Sequence, residues 1–254
     1  MTETQTETQN VADVAEKYYD SADADEFYFN IWGGEDIHVG LYEDKDPIVE
    51  ASRKTVEKMA SMIEGLDSST RVLDIGAGYG GSARYLARTY GCEVVALNIS
   101  ETQNERDRTM NEEQGLSDKI QVVHGNFEDL PQADNSFDVV WCQDSILHSA
   151  DRKKVLQEVK RVLKPGGQFI FTDPMQKPDA PKSELQPVYD RIHLPSLGSF
   201  EFYKQTAKEL GLEEIQILDM SEQLPRHYGR VREELQSRYD EIVEISSKEY
   251  VDRM

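Results

Sequence analysis

A chain of 254 residues is long enough to bury a full core as one large domain, with or without an insert. Its 49 acidic residues against 28 basic ones give a formal charge of −21, a field that repels nucleic-acid phosphates and disfavours a DNA or RNA substrate. No apolar run approaches the roughly 18–20 residues that a bilayer span needs. The two cysteines, Cys92 and Cys142, lie in apolar stretches as expected for free thiols in a reducing cytoplasm, and no ligand-spaced cluster suggests a metal.

In chain order, the opening "MTETQTETQN" has neither a signal core nor a basic transit pattern, and residues 1–10 read as a disordered tail. Residues 11–65 carry "YYDSADADEFYFNIWGGEDIHVGLY", dense in aromatics, and read as an N-terminal helical cap. Between 66 and 174 the rhythm changes. Short β-rich runs at Val72–Asp74, Glu93–Leu97, Ile120–Val123, Phe137–Cys142 and Gln168–Thr172 alternate with helical periodicity at Ser82–Tyr90, Glu101–Gln114 and Arg152–Leu163. Ser100 followed by Gln103 is a capping box for the second of these helices, and "LKPGG" at 163–167 makes a turn into the next strand. The alternation predicts an α/β fold, an open, doubly wound and mostly parallel sheet with ligands at the carboxyl ends of its strands. The proline-rich stretch 175–200 interrupts the order as a lid insert. Residues 201–254 then resume with a helix at Glu201–Leu210, a strand near Glu213–Asp219 and a terminal helix. That last helix spaces Tyr228, Val231, Leu235, Tyr239, Ile242 and Ile245 three to four apart.

The loop "VLDIGAGYGG" at 72–81 is where backbone meets ligand. Gly76, Gly78 and Gly81 satisfy the dinucleotide fingerprint, which alone is a weak signal. The position about 20 residues on, where a nicotinamide cofactor wants an acid, is Asn98. The later blocks "NFEDLPQADNSFDVVWCQDSILHS" and "EVKRVLKPGGQFIFTDP" resemble those of class I S-adenosylmethionine-dependent methyltransferases over roughly 68–175. The resemblance implies S-adenosyl-L-methionine held by Asp74, Gly76, Gly78, Gly80, Asn98, Ile99, Gln103, Asn126, Phe127 and Gln143. Asn98 departs from the acid usual in the family, though its amide still donates and accepts. The helix N-terminus after the loop is expected to serve the cofactor's carboxylate.

A narrower resemblance, to the sarcosine and dimethylglycine N-methyltransferases of betaine synthesis, rests on "YYDS…WGGEDIHVGLY", "ALNISETQNERDR", "WCQDSILHS" and "RIHLPSLGSFEFY". The family continues to a final β-strand, and this sequence is expected to stop short of it. The resemblance implies attack of a small glycine-derived amine on a sulfonium methyl. Arg191 is the guanidinium for the acceptor's carboxylate, and it alternatively pairs with a surface acid. Tyr18, Tyr19, Trp32 and Tyr203 are candidates for an aromatic wall around the developing cation. His148 or Asp144 is the candidate for deprotonating the amine, His148 alternatively capping the helix near Asp151. Two other readings stay open, a methyltransferase of phosphoethanolamine, lipid or polyprenyl acceptors and a non-catalytic binder of the cofactor. The expected protein is cytoplasmic, a monomer or weak homodimer without nucleic-acid or membrane partners.

The acid excess is spread along the chain, as on a surface suited to high salt, or else of an ordinary acidic enzyme. Under the first reading the melting temperature should rise between dilute buffer and about 1 M salt, where the screening length is about 3 Å. Flat or falling melting curves would leave the acidity without that explanation.

Overall fold

The computed structural model describes residues 3–192, 194 and 196–254. Three helices, α1 (Glu3–Tyr19), α2 (Ala22–Trp32) and α3 (Ile48–Ser61), precede the first strand. β1 (Arg71–Ile75) leads through α4 (Gly81–Tyr90) to β2 (Glu93–Asn98), and α5 (Glu101–Glu113) leads to β3 (Ile120–His124). Then come β4 (Phe137–Gln143), a 3-10 turn at Ile146–His148, α6 (Arg152–Val162) and β5 (Leu163–Thr172). The chain continues as α7 (Lys182–Ile192), α8 (Phe200–Glu209), α9 (Gln223–Ser237), α10 (Tyr239–Ile245) and α11 (Lys248–Arg253).

The five strands lie in the order β3-β2-β1-β4-β5, all parallel. Strand direction is constant but the winding reverses between β1 and β4, which opens a crevice at their carboxyl ends. Val72–Ile75 and Val94–Asn98 are buried without alternation, as expected of strands covered on both faces. On one face Val56, Met59 and Leu86 of α3 and α4 pack on Val72, Val139 and Trp141. On the other, Val155 and Val159 of α6 and Tyr203 of α8 pack on Leu73 and Val140. A third cluster lies above the sheet, where α2 meets α9–α11: Phe27, Trp32, Val231, Ile242 and Tyr250 gather around Tyr79 of the glycine loop.

Four local expectations are corrected. The polar opening is helical from Glu3, since no glycine or proline breaks it; Met1 and Thr2 lie outside the described residues. "LKPGG" belongs to β5 as an irregularity: Leu163 pairs with Phe137 and Gln168 with Val139, so the intervening residues loop out at Gly166 (φ +80°). Residues 213–219 form no strand, and Ile215 and Ile217 stay exposed. β5 is the edge of the sheet, and no backbone hydrogen bond joins 213–219 to its open side among the described residues. Among the described residues no strand follows β5. The terminal helix breaks at Arg238 and Ser246, which lets Val231, Ile242 and Tyr250 all reach the cap while Tyr228 and Ile245 remain exposed.

His227 of α9 fixes this cap to the loop beneath it. Its Nδ1 accepts from the Gly40 N–H at 3.1 Å and from the Tyr42 hydroxyl at 2.9 Å, so the ring is neutral with its proton on Nε2. Burial, and then the nearby charge of His38, push its pKa down to about 3. His227→Ala should destabilise the chain by about 2–3 kcal/mol in urea unfolding, by stranding two buried donors and leaving a void. The stabilisation by a neutral imidazole is complete above the ordinary imidazole pKa of 6.5 and is lost as pH falls towards about 3, so the gap between parent and variant should narrow over that range.

Candidate active site

A cavity lies at the carboxyl ends of β1, β2 and β4, roofed by α1 and by the loop carrying Asp36, Ile37 and His38. The glycine turn forms its floor. Gly76 has φ +76°, and a Cβ there would lie 2.4 Å from Ser145, whose hydroxyl donates to the Gly76 carbonyl at 3.0 Å. The N–H groups of Gly76 and Ala77 both donate to the Leu97 carbonyl, which ties the turn to β2. Gly78, Asn98, Ile99, Gln103, Asn126, Phe127 and Gln143 also line the cavity, together with Asp74.

Several of these side chains hold buried polar atoms without a protein partner. The Oε1 of Gln143, a residue of the cavity wall, accepts from Trp141 Nε1 at 2.9 Å and from the Ser82 hydroxyl, and its amide nitrogen is left buried and unpartnered. Asn98 Nδ2 donates to Gln103 Oε1 at 2.9 Å, leaving the Asn98 oxygen as acceptor and the Gln103 nitrogen as an unpartnered donor. One acceptor beside one donor matches a vicinal diol such as a ribose. Asn126 Oδ1 is taken by the Glu128 N–H at 2.8 Å, which leaves its amide nitrogen beside the Phe127 ring for a purine edge and face. Asp74 Oδ2 is buried and unpartnered. Burial, then Asp107 and Asp36, push its carboxyl up to about 8, and a cationic group would relieve that cost. An adenosine carrying an ammonium group therefore fits the donor set.

The same cavity carries Tyr19, Asp144 and His148. The Tyr19 hydroxyl bonds His148 Nε2 at 2.9 Å, joining α1 to the turn after β4. Burial, then Arg152, push His148 down to about 4, so its imidazole is neutral at physiological pH. Asp144 has φ +48°, and its carboxylate accepts from the Val39 N–H and the Thr172 hydroxyl, both at 2.7 Å. That carboxylate is a clamp, with each of its two oxygens bonded to the fold.

Other expected residues sit elsewhere. Trp32 packs in the core against Tyr28 and His227, because the amphipathic face of α2 turns it towards α9. Tyr203 is buried against Phe171 and donates to Asp173 at 2.5 Å, so it braces β5. Tyr18 bonds the hydroxyls of Tyr28 and Tyr250 in the cap. Gly80 caps α4 beneath Asp107, away from the cavity wall. Arg191, at the exposed end of α7, stands with its guanidinium 5.7 Å from the Tyr228 ring centroid, outside the cavity lining. Within "RIHLPSLGSFEFY", His193 and Pro195 lie outside the described residues. Sequence reasoning missed Asp36, His38, Ser82 and Glu128 on the wall. The acid–x–histidine of "GGEDIHVGLY" was a signal for the first two, hidden among the aromatics.

The sequence pattern of the Methyltransferase domain family matches residues 73–171. The sarcosine/dimethylglycine N-methyltransferase of Halorhodospira halochloris is 58% identical over 243 residues, 95% of this chain and 87% of that one. The dimethylglycine N-methyltransferase of Parasynechococcus marenigrum is 48% identical over 242 residues, 95% of this chain and 86% of that one. A solved structure of a candidate sarcosine dimethylglycine methyltransferase from Galdieria sulphuraria superposes with a TM-score of 0.87 at 46% identity, covering 93% of this chain and 89% of that one. The Haemonchus contortus phosphoethanolamine N-methyltransferase 2 in complex with S-adenosyl-L-methionine shares the fold, with a TM-score of 0.79 at 19% identity over 94% of this chain and 53% of its own.

The raised carboxyl of Asp74 generates a test of the cavity. S-adenosylhomocysteine places an ammonium in it, and binding at pH 7 should expel about one proton per site. Calorimetric heats should then vary with the ionisation enthalpy of the buffer, and Asp74→Asn should abolish that variation.

Proposed function

The chain belongs to the class I methyltransferases, in the branch of the sarcosine and dimethylglycine N-methyltransferases, and from that premise we propose that it methylates the nitrogen of sarcosine or dimethylglycine. The methyl donor is S-adenosyl-L-methionine and the fully methylated product is glycine betaine. The observation that carries the acceptor class is the reach of the 58% identity. It covers 95% of the chain and so takes in the α1–α2 cap and the α7 lid, beyond the 73–171 stretch common to methyltransferase domains.

When bound, S-adenosylmethionine supplies an electrophilic sulfonium methyl. The residues of this chain supply position and environment. The amides of Asn98, Gln103 and Gln143 hold the donor without net charge. Tyr19 on the cavity wall, and Tyr228 close enough to raise the Tyr19 pKa, offer aromatic faces worth about 0.5–2 kcal/mol to a nitrogen becoming cationic. Arg191, on the Tyr228 ring, offers a planar fork for the acceptor's carboxylate. His148 is too weak a base to take a proton from an alkylammonium, so the amine sheds its proton to water on entry and His148 serves to hold Tyr19 in place. Rate then comes chiefly from proximity and alignment. No helix among the described residues is long and apolar enough to cross a membrane. The same reading has the chain working in the cytoplasm as a monomer or weak homodimer.

Labelled methyl transfer across glycine, sarcosine, dimethylglycine and phosphoethanolamine tests this. Sarcosine or dimethylglycine should turn over, and a preference for phosphoethanolamine would overturn the reading. Arg191→Lys keeps the charge but loses the fork, and should raise KM for dimethylglycine by about tenfold while S-adenosylhomocysteine affinity holds.

A further inference from the structure

Helix α4 starts beneath two of the chain's own carboxylates. A Cβ on Gly80 would lie 2.0 Å from Asp107 Oδ1, and one on Gly81 would lie 2.1 Å from Asp36 Oδ1. Burial raises the Asp36 pKa, but the adjacent His38 imidazole and the charges of Arg53 and Arg84 outweigh it and hold the carboxyl below its ordinary value. An acid whose ionisation is favoured thus stands beside the helix end that would attract a ligand's anion. A cofactor carboxylate at this N-terminus, as expected from the sequence, would meet that charge.

The carboxylate needs a cation elsewhere. Arg53 and Arg84 pair with Glu35, Asp36 and Asp107 behind the wall and do not line the cavity. His148 is on the wall but neutral. His38 differs from it. The residue is only 5% exposed, its Nδ1 donates to the Val39 carbonyl at 3.3 Å, and its Nε2 lies 3.5 Å from Asp36 Oδ1, too far for a good hydrogen bond. That Nε2 is a buried donor without a hydrogen-bond partner in the wall of the cavity. The groups facing it are Asp36 on its own loop, Asp144 after β4, Asp74 on β1 and the neutral His227 on α9. Burial opposes charge on His38, yet Asp36 and Asp144 prevail and raise its pKa.

We propose that His38 recognises the carboxylate of the cofactor's methionine end, with Asp36 as the positioning residue that orients the ring. Asp74 then takes the ammonium, so a zwitterion is read by a histidine on the roof and an aspartate on the floor. The inference rests on the cavity being the S-adenosylmethionine cavity.

Calorimetry with S-adenosylhomocysteine and with its decarboxylated analogue, which keeps the ammonium, isolates the carboxylate. The parent should prefer S-adenosylhomocysteine by about tenfold or more. His38→Gln should abolish most of that preference while leaving the analogue's affinity unchanged. Nitrogen-labelled histidine NMR of the parent, which does not depend on the variant folding, should show the His38 Nε2 signal moving with S-adenosylhomocysteine and not with the analogue. A His38→Gln chain that keeps the preference, or an Nε2 signal unmoved by S-adenosylhomocysteine, would overturn the assignment. So would a raised KM for dimethylglycine with S-adenosylhomocysteine affinity intact, which would give His38 to the acceptor's carboxylate. A parent that binds neither compound overturns the cofactor cavity itself.

Discussion

One carboxylate fastens the catalytic half of the molecule together. Asp144 follows β4 in a left-handed conformation, φ +48°, that costs a non-glycine residue about 1–3 kcal/mol. Two bonds of 2.7 Å hold it there, from the Val39 N–H and from the Thr172 hydroxyl at the end of β5. Val39 adjoins His38 and Asp36, so a strained residue on a rigid sheet fixes the loop that roofs the cavity. The next residue, Ser145, donates to the Gly76 carbonyl and braces the glycine turn from the same side. Roof and floor are thereby referenced to the end of a single strand.

The cap above is assembled from both ends of the chain. Asp20 accepts from the Ser100 hydroxyl at 2.7 Å and the Thr102 N–H at 3.2 Å, placing the α1–α2 junction on the start of α5 beside the diol-matching amides. Asp23 accepts from Ser247 at the start of α11. Tyr79 reaches up from the glycine loop to Asp25 at 3.0 Å. Each anchor is an acidic residue in one short stretch, which couples closure over the donor to packing of the C-terminal helices.

Charge divides the cavity. Three histidines lie on or behind its walls, and two of them, His148 and His227, are kept neutral by burial. Only His38 has its charge favoured, because Asp36 and Asp144 flank it. Among the four carboxyls of the wall, Asp36, Asp74, Glu128 and Asp144, Asp74 has its ionisation opposed and is poised to accept a cation. A chain of net charge −21 thus sets one favoured cation, His38, among the acids of its cavity.

The fold and the glycine-loop wall were legible in the sequence because their signals are local. Strand runs, the Ser100 capping box, the turn at Gly76 and the polar residues ending each strand, Asn98, Asn126 and Gln143, follow from spacing within a few residues. The acceptor side was not, because it depends on which faces meet across the whole chain. Trp32 and Tyr203 are aromatic and near the right segments, yet helix phase turned both into cores. The 213–219 stretch has strand composition, but a strand exists only where a neighbour supplies hydrogen bonds. Likewise no local rule pairs Tyr19 with His148 or turns Gly40 and Tyr42 towards His227. The sequence by itself determined the elements and the donor loop, since backbone propensity and turn chemistry act over a few residues. Only the tertiary structure decided the charge state of each histidine and which aromatics face a ligand, since burial and long-range contact set both.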